Sequence, residues 1–249
     1  MEVEGLLKVL NFPIHSVRIY GRNNEIPIIA NCEPLAIGAE AKLFKCLFLG
    51  VPAVIKIRNP KPFLHPQVDA KLRSRRTRIE AKALVSAASL GIRVPRVLWV
   101  DLEGGVIIME FIDGEPLRDV LRRVGDEEAC RYVETLGEYL SLLHSAGIVH
   151  GDPTTANALV PSDGSMYLID FGLAEFTKMI DEYAIDLHIA FRAIESTHFD
   201  REELLKKCLV EGYSKHAKDV NLVLKRVSEI RLMGRYVEKR RKSVWAELR

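Results

Sequence analysis

The chain has 249 residues, of which 48% are apolar and 28% charged, with 36 Lys plus Arg against 34 Asp plus Glu. That length can bury a sizeable core in one or two domains, and the composition excludes a disordered chain, while a net charge of +2 excludes little by itself. No apolar run approaches the ~18 residues of a membrane span. The acidic start Met1-Glu2-Val3-Glu4 is unlike a basic secretory leader. Cys32, Cys46, Cys130 and Cys208 lie far apart with no Cys-x-x-Cys, so neither a disulfide framework nor a zinc site is expected, and a reducing, cytoplasmic setting is.

After an uncharacterised opening over residues 1–30, the first half reads as short strands at Glu33–Ile37, Ala41–Leu49 and Ala53–Ile57, broken by turns at Gly38-Ala39-Glu40 and Gly50-Val51-Pro52. From Pro66 to Leu90 the spacing becomes helical, with Val68, Leu72, Ile79, Leu84 and Ala88 as apolar markers and Gly91 as the cap. Two further strands, Arg96–Val100 and Val106–Phe111, flank a Glu103-Gly104-Gly105 turn. The second half is mainly helical. Glu127–Ala146 carries Val133, Leu136, Leu140 and Leu143 on one face, and helices are expected over Glu182–Glu195, Arg201–His216 and Val220 to about Arg240. Short strands near Ala158–Val160 and Met166–Ile169 bracket a Ser162-Asp163-Gly164 turn. The switch from strands to helices at Ile112-Asp113-Gly114 gives the expected organisation: an N-terminal segment 1–30, a β-rich lobe 31–112, a helical lobe 113–235 and a basic tail 236–249. This α+β class is that of a minimal bilobal kinase-like fold.

The chemistry concentrates between His150 and Gly172. His150-Gly151-Asp152 is followed by Asn157, five residues after the aspartate, and then by Asp170-Phe171-Gly172. That order and spacing is the catalytic half of a phosphoryl-transfer site. Asp152 would orient the attacking hydroxyl, and Asn157 with Asp170 would hold magnesium. The ATP half needs a strand lysine paired with a helix glutamate. Lys56 in Val54-Ile55-Lys56-Ile57 and Glu80 in Arg76-Thr77-Arg78-Ile79-Glu80-Ala81 meet that requirement. Gly38 is the single glycine of the phosphate-covering turn, with the acidic Glu40 beside it. By position, Met109, Glu110 and Ile112 would lie against adenine.

Gly151 stands where most protein kinases carry an arginine that pairs with a phosphorylated loop, so no such switch is expected. About ten residues separate Asp170-Phe171-Gly172 from the next helix, and no Ala-Pro-Glu follows, which leaves little room to hold a peptide. Two alternatives stay open on these residues: a kinase-shaped binding and assembly subunit with little turnover, and a small-molecule phosphotransferase of the aminoglycoside kinase type.

Together, Ile148-Val149-His150-Gly151-Asp152-Pro153-Thr154-Thr155-Ala156-Asn157 and Tyr167-Leu168-Ile169-Asp170-Phe171-Gly172-Leu173 resemble the atypical serine/threonine kinases of the KEOPS complex, relatives of the RIO kinases. The likeness extends through Gly38-Ala39-Glu40-Ala41, Arg58-Asn59-Pro60-Lys61, His65-Pro66, Asp186-Leu187, Ser196-Thr197-His198 and Ile230-Arg231-Leu232-Met233-Gly234-Arg235. It implies a small kinase and ATPase using ATP and Mg2+ in threonylcarbamoyladenosine modification of tRNA. Its implied partners are the metal-containing threonylcarbamoyltransferase subunit and a small regulatory subunit. Pro153 stands where the family usually has leucine and removes a backbone N–H from the catalytic loop. The stretch from Lys225 to Arg249 holds nine Lys or Arg against three Glu. Its Lys239-Arg240-Arg241-Lys242 cluster is a candidate contact for tRNA phosphates, or a solvated helix face. A second basic cluster, Lys71, Arg73, Arg75, Arg76 and Arg78, shares a helix with Glu80.

Overall fold

The computed structural model describes the backbone of residues 16–18 and 25–247 and the side chains of residues 27–233. The chain forms two compact units, Met1–Ser89 with Val94–Asp113, and Leu90–Arg93 with Gly114–Arg249. The class is α+β: a sheet dominates the first unit and helices the second.

In the first unit β1 (Ser16–Arg18) pairs with β2 (Glu25–Pro27). The main sheet contains β3 (Ile29–Ile37), β4 (Ala41–Phe48), β5 (Val51–Arg58), β6 (Val97–Asp101) and β7 (Val106–Glu110), in the antiparallel order β3-β4-β5-β7-β6. Alternation places Phe44, Cys46 and Phe48 of β4 and Ala53, Ile55 and Ile57 of β5 in one apolar cluster with Ile108. β3 begins earlier than expected because a bulge between Ala30 and Glu33, with Asn31 at φ 51°, breaks the alternation that sequence reading relies on.

Helix α1 (Pro66–Ser89) packs on β6 and β7. Its buried face coincides only in part with the apolar markers. Thr77, Glu80, Ala81, Ala83, Leu84 and Ala87 are buried, whereas Val68 is 53% exposed and Ala88 is exposed. Of the markers Leu84 is buried and Leu72 and Ile79 are half-buried, and small and polar residues make up the rest of the face.

The second unit opens with β8 (Gly114–Pro116) and the short α2 (Leu117–Val120), neither of which the sequence marked. It continues with α3 (Asp126–Ser145), β9 (Ile148–Val149), β10 (Ala158–Pro161), β11 (Tyr167–Leu168), β12 (Glu175–Phe176), α4 (Ile180–Thr197), α5 (Glu202–Tyr213) and α6 (Val220–Glu247). β10 lies between β8 and β11, and β9 pairs with β12. Val133, Leu136, Leu140 and Leu143 of α3 are fully buried, as their spacing predicts. Helices α3 and α5 cross closely: a Cβ on Gly137 would meet Leu209 O at 2.1 Å, and one on Gly212 would meet Glu134 O at 1.9 Å. α6 runs on past Arg240 to Glu247; the side chains of Lys239, Arg240, Arg241 and Lys242 lie outside the described residues. Among the described residues no helix is long and apolar enough to cross a membrane.

The cysteine expectation is overturned. Cys32 is bonded to Cys46 across the β3–β4 bulge, and Cys130 to Cys208 across the α3–α5 crossing, with Cα atoms 4.2 Å and 5.4 Å apart. Linear spacing carries no trace of either pair, because strand register makes one and helix packing the other. The second bond closes a loop of 78 residues. Reduction, or Cys130→Ala, is therefore expected to remove about 2–4 kcal/mol by restoring entropy to the unfolded chain. A calorimetric scan should show the midpoint lowered by roughly 5–15 °C; an unchanged midpoint would mean that this bond contributes nothing.

Candidate functional site

In the first unit, Lys56 sits in β5 opposite Ile107 of β7 and is 8% exposed. Its Nζ donates to Glu80 Oε1 at 2.6 Å, and Glu80 on α1 is 1% exposed. The expected pair is formed, but not alone. Arg58, two residues further along the same strand, donates from Nη2 to Glu80 Oε2, so one buried carboxylate serves two buried cations. Sequence reading gave Arg58 no role, although its i, i+2 relation to Lys56 sets both on one strand face.

The Gly38 turn is tied down from the end of β5. Asn59 Nδ2 donates to the carbonyls of Gly38 and Ala39 at 2.8 Å and 3.1 Å, and the Asn59 N–H donates to Glu40 O at 2.9 Å. The Glu40 carboxylate accepts from Lys61 at 3.0 Å and from Arg76 at 2.7 Å, and the Lys61 hydrogen bond foremost holds its pKa below the ordinary value. Arg73 is likewise engaged by Asp69 and the Gly104 carbonyl. Met109 and Glu110 close β7, with Met109 and Ile112 each 9% exposed. Glu110 accepts a two-pronged contact from Arg96, at 3.0 Å and 3.1 Å, and gives its N–H to Arg96 O.

In the second unit the loop that begins at His150 is held by a buried aspartate. Asp186, on α4 and 1% exposed, accepts the His150 N–H at 2.6 Å and the Gly151 N–H at 2.8 Å. Its Oδ2 is also 3.2 Å from His144 Nε2, and His144 Nδ1 lies 2.8 Å from the Tyr213 hydroxyl. His144 and Asp186 carry this support and were not assigned as site residues; the signal was a lone aspartate inside the apolar run of α4. His150 is fully buried against Phe171, with Nε2 3.1 Å from Ile169 O and Nδ1 accepting the Asp152 N–H at 3.2 Å. Burial pushes its pKa down, which keeps the ring neutral and lets Nε2 donate while Nδ1 accepts.

Asn157 Nδ2 donates to Asp152 Oδ2 at 2.8 Å and to Asp152 O at 2.9 Å, which turns the amide oxygen away from the aspartate. Buried Pro153 leaves the turn to be closed by Thr154, whose N–H donates to Asp152 O at 2.8 Å. Ile169 N–H to Asn157 O at 2.8 Å carries β11 into Asp170, which adopts φ 59° and accepts the Gly172 N–H at 3.1 Å.

Gly151 has φ 85°, and a Cβ there would sit 2.3 Å from Leu173 O. The absence of an arginine thus has a local cause beyond any missing switch. Gly151→Arg is expected to destabilise the fold by on the order of 2 kcal/mol through backbone strain, with the clash in addition. Denaturant midpoints would measure it, and a neutral substitution would refute the conformational demand.

Among the described residues no three His, Cys, Asp or Glu side chains form a metal cage.

A RIO domain profile matches residues 64–181, a span that holds Glu80, Asp152, Asn157 and Asp170. The KEOPS complex subunit Bud32 of Pyrococcus abyssi is 40% identical over 214 residues, covering 81% of this chain and 95% of that protein. The EKC/KEOPS complex subunit bud32 of Aspergillus fumigatus is 34% identical, covering 81% of this chain and 89% of its own. A probable bifunctional tRNA threonylcarbamoyladenosine biosynthesis protein of Methanothermobacter thermautotrophicus is 37% identical over 87% of this chain, which spans 39% of that longer protein. With a RIO domain and a Bud32 relative matched over nearly its whole length, this chain belongs to the Bud32 family of RIO-domain proteins.

Proposed function

We propose that the chain binds Mg-ATP and transfers or hydrolyses its γ-phosphate, as the kinase/ATPase subunit of a KEOPS-type complex serving threonylcarbamoyladenosine modification of tRNA. The observation that carries this reading is the buried Lys56–Glu80 pair at 2.6 Å. Burying charge is costly, and a pure scaffold has no need of a desolvated lysine held in one orientation. ATP with magnesium supplies the transferable phosphoryl group and neutralises its developing charge. Lys56, steadied by Glu80, holds the α- and β-phosphates. Asp152 orients the attacking hydroxyl or water and takes its proton, while Asn157 Oδ1 and the Asp170 carboxylate hold magnesium. Gly38 fits a phosphate turn for a separate reason. A Cβ there would touch only Ala41 O, at 3.5 Å, so the protein itself leaves room for a side chain and the bare backbone is free to approach a phosphate. Met109, Glu110 and Ile112 present the backbone against adenine.

The segment from Gly172 to α4 is short and partly used by the β12–β9 pair, which favours ATP hydrolysis within a complex over general peptide phosphorylation. Partners of this reading are a threonylcarbamoyltransferase subunit, a small regulatory subunit, and tRNA reached through Lys239, Arg240, Arg241 and Lys242. The relatives' names as KEOPS complex subunits support it. The test is magnesium-dependent ATP turnover by the full chain, alone and with the transferase, following free and protein-bound phosphate separately. Free phosphate indicates an ATPase and bound phosphate a kinase. No magnesium-dependent turnover under either condition would leave an assembly subunit as the better reading.

A further inference from the structure

A cavity of about 320 Å3 opens in the second unit behind the catalytic loop, where α3 ends and α4 and α6 begin. The volume is at the low end of small-molecule sites, about 300–1,000 Å3, which favours a single-ring ligand over a nucleotide. Aromatic and apolar groups line it, including His144, Tyr183, Tyr213 and Val223. The His144 and Tyr183 rings stack at 4.5 Å with an interplanar angle of 10°. Lys178 and Lys218 are exposed lining residues with no ion-pair partner among the described residues, and Asp219 is the one acidic side chain of the lining. Two ammonium groups against one carboxylate give the opening a positive excess. Aromatic walls with a cationic mouth match an apolar ring that carries one negative charge.

The cavity is also connected to the loop. The Tyr213 hydroxyl lies 2.8 Å from His144 Nδ1, and His144 Nε2 lies 3.2 Å from Oδ2 of Asp186, which holds the His150 and Gly151 N–H groups. Asp152 is the next residue. Tyr213 and His144 are buried, so a ligand reaches this hydrogen-bonded chain through half-buried Tyr183, whose ring stacks on His144.

We infer that this cavity binds a small aromatic carboxylate, with its ring against Tyr183 and its charge met by Lys178 and Lys218, and that occupancy is transmitted through the Tyr183–His144 stack to the catalytic loop. The inference is independent of the phosphotransfer reading, since binding and loop response can be read without turnover. Benzoate and neutral benzamide are the probes, titrated into the full chain by amide-resolved NMR. Saturable benzoate binding is expected, with benzamide at least severalfold weaker and the Lys178→Ala/Lys218→Ala variant weakened by about fivefold, two exposed charge pairs being worth up to about 1 kcal/mol together. The Gly151 amide signal should move with the same saturation curve. Absence of saturation, equal binding of benzamide, or indifference to the lysine pair would overturn the site. A Gly151 amide that stays still while the site fills would overturn the coupling.

Discussion

Asp152→Ala and Asp170→Ala are each expected to lower magnesium-dependent ATP turnover by about 10²–10⁴-fold, the range associated with a lost general base or its electrostatic counterpart. The two should fail in different ways. Asp152 both accepts from Asn157 and faces the nucleophile, so its loss also frees the Asn157 amide that it orients. Asp152→Asn separates these roles: its amide oxygen can still accept from Asn157 Nδ2, but it cannot take a proton. Turnover in that variant should stay as low as in the alanine variant. Asp170 is exposed and accepts the Gly172 N–H, and its removal should raise the magnesium concentration needed for half-maximal rate. Asp152→Asn retaining more than a tenth of native turnover would remove the proton-transfer role.

Glu80→Ala is expected to be the most destabilising single change in the first unit. It removes the carboxylate that Lys56 and Arg58, 8% and 5% exposed, both contact. Breaking a buried ion pair from one side costs about 3–5 kcal/mol, because the uncompensated charge stays desolvated. Here the lost carboxylate served two cations, so their mutual repulsion is added. Urea unfolding should show the loss. Combining Glu80→Ala with Arg58→Met should recover part of it, since one of the two cations is then replaced by an apolar stem of similar length; the cycle is non-additive because the groups touch. A Glu80→Ala cost under 1 kcal/mol would show that water reaches the pair and that burial does not govern it.

The elements that were legible in the sequence were those whose information is local. The 3.6-residue spacing of α3 and the i, i+5 relation of Asp152 and Asn157 depend on neighbours along the chain, and both occur as read. The Lys56–Glu80 pair was legible because a strand lysine and a helix glutamate 24 residues apart follow one supersecondary pattern. The buried side of α1 was only partly legible: Leu84 is buried as its spacing suggests, but the rest of the contact surface is alanines, Thr77 and Glu80, which a hydrophobic marker scan passes over.

Other features were decided only when the chain folded back on itself. Asp186 reaches His150 across 36 residues, Tyr213 reaches His144 across 69, and Cys130 meets Cys208 across 78. No local pattern encodes such partners, since side-chain hydrogen bonds and disulfides depend on distances of a few ångströms set by helix crossing and strand register. By itself the sequence singled out the residues proposed for phosphoryl transfer and their order along the chain. The tertiary structure alone decided what holds them in place: a carboxylate shared by two buried cations in one unit, and a buried aspartate beneath the catalytic loop in the other.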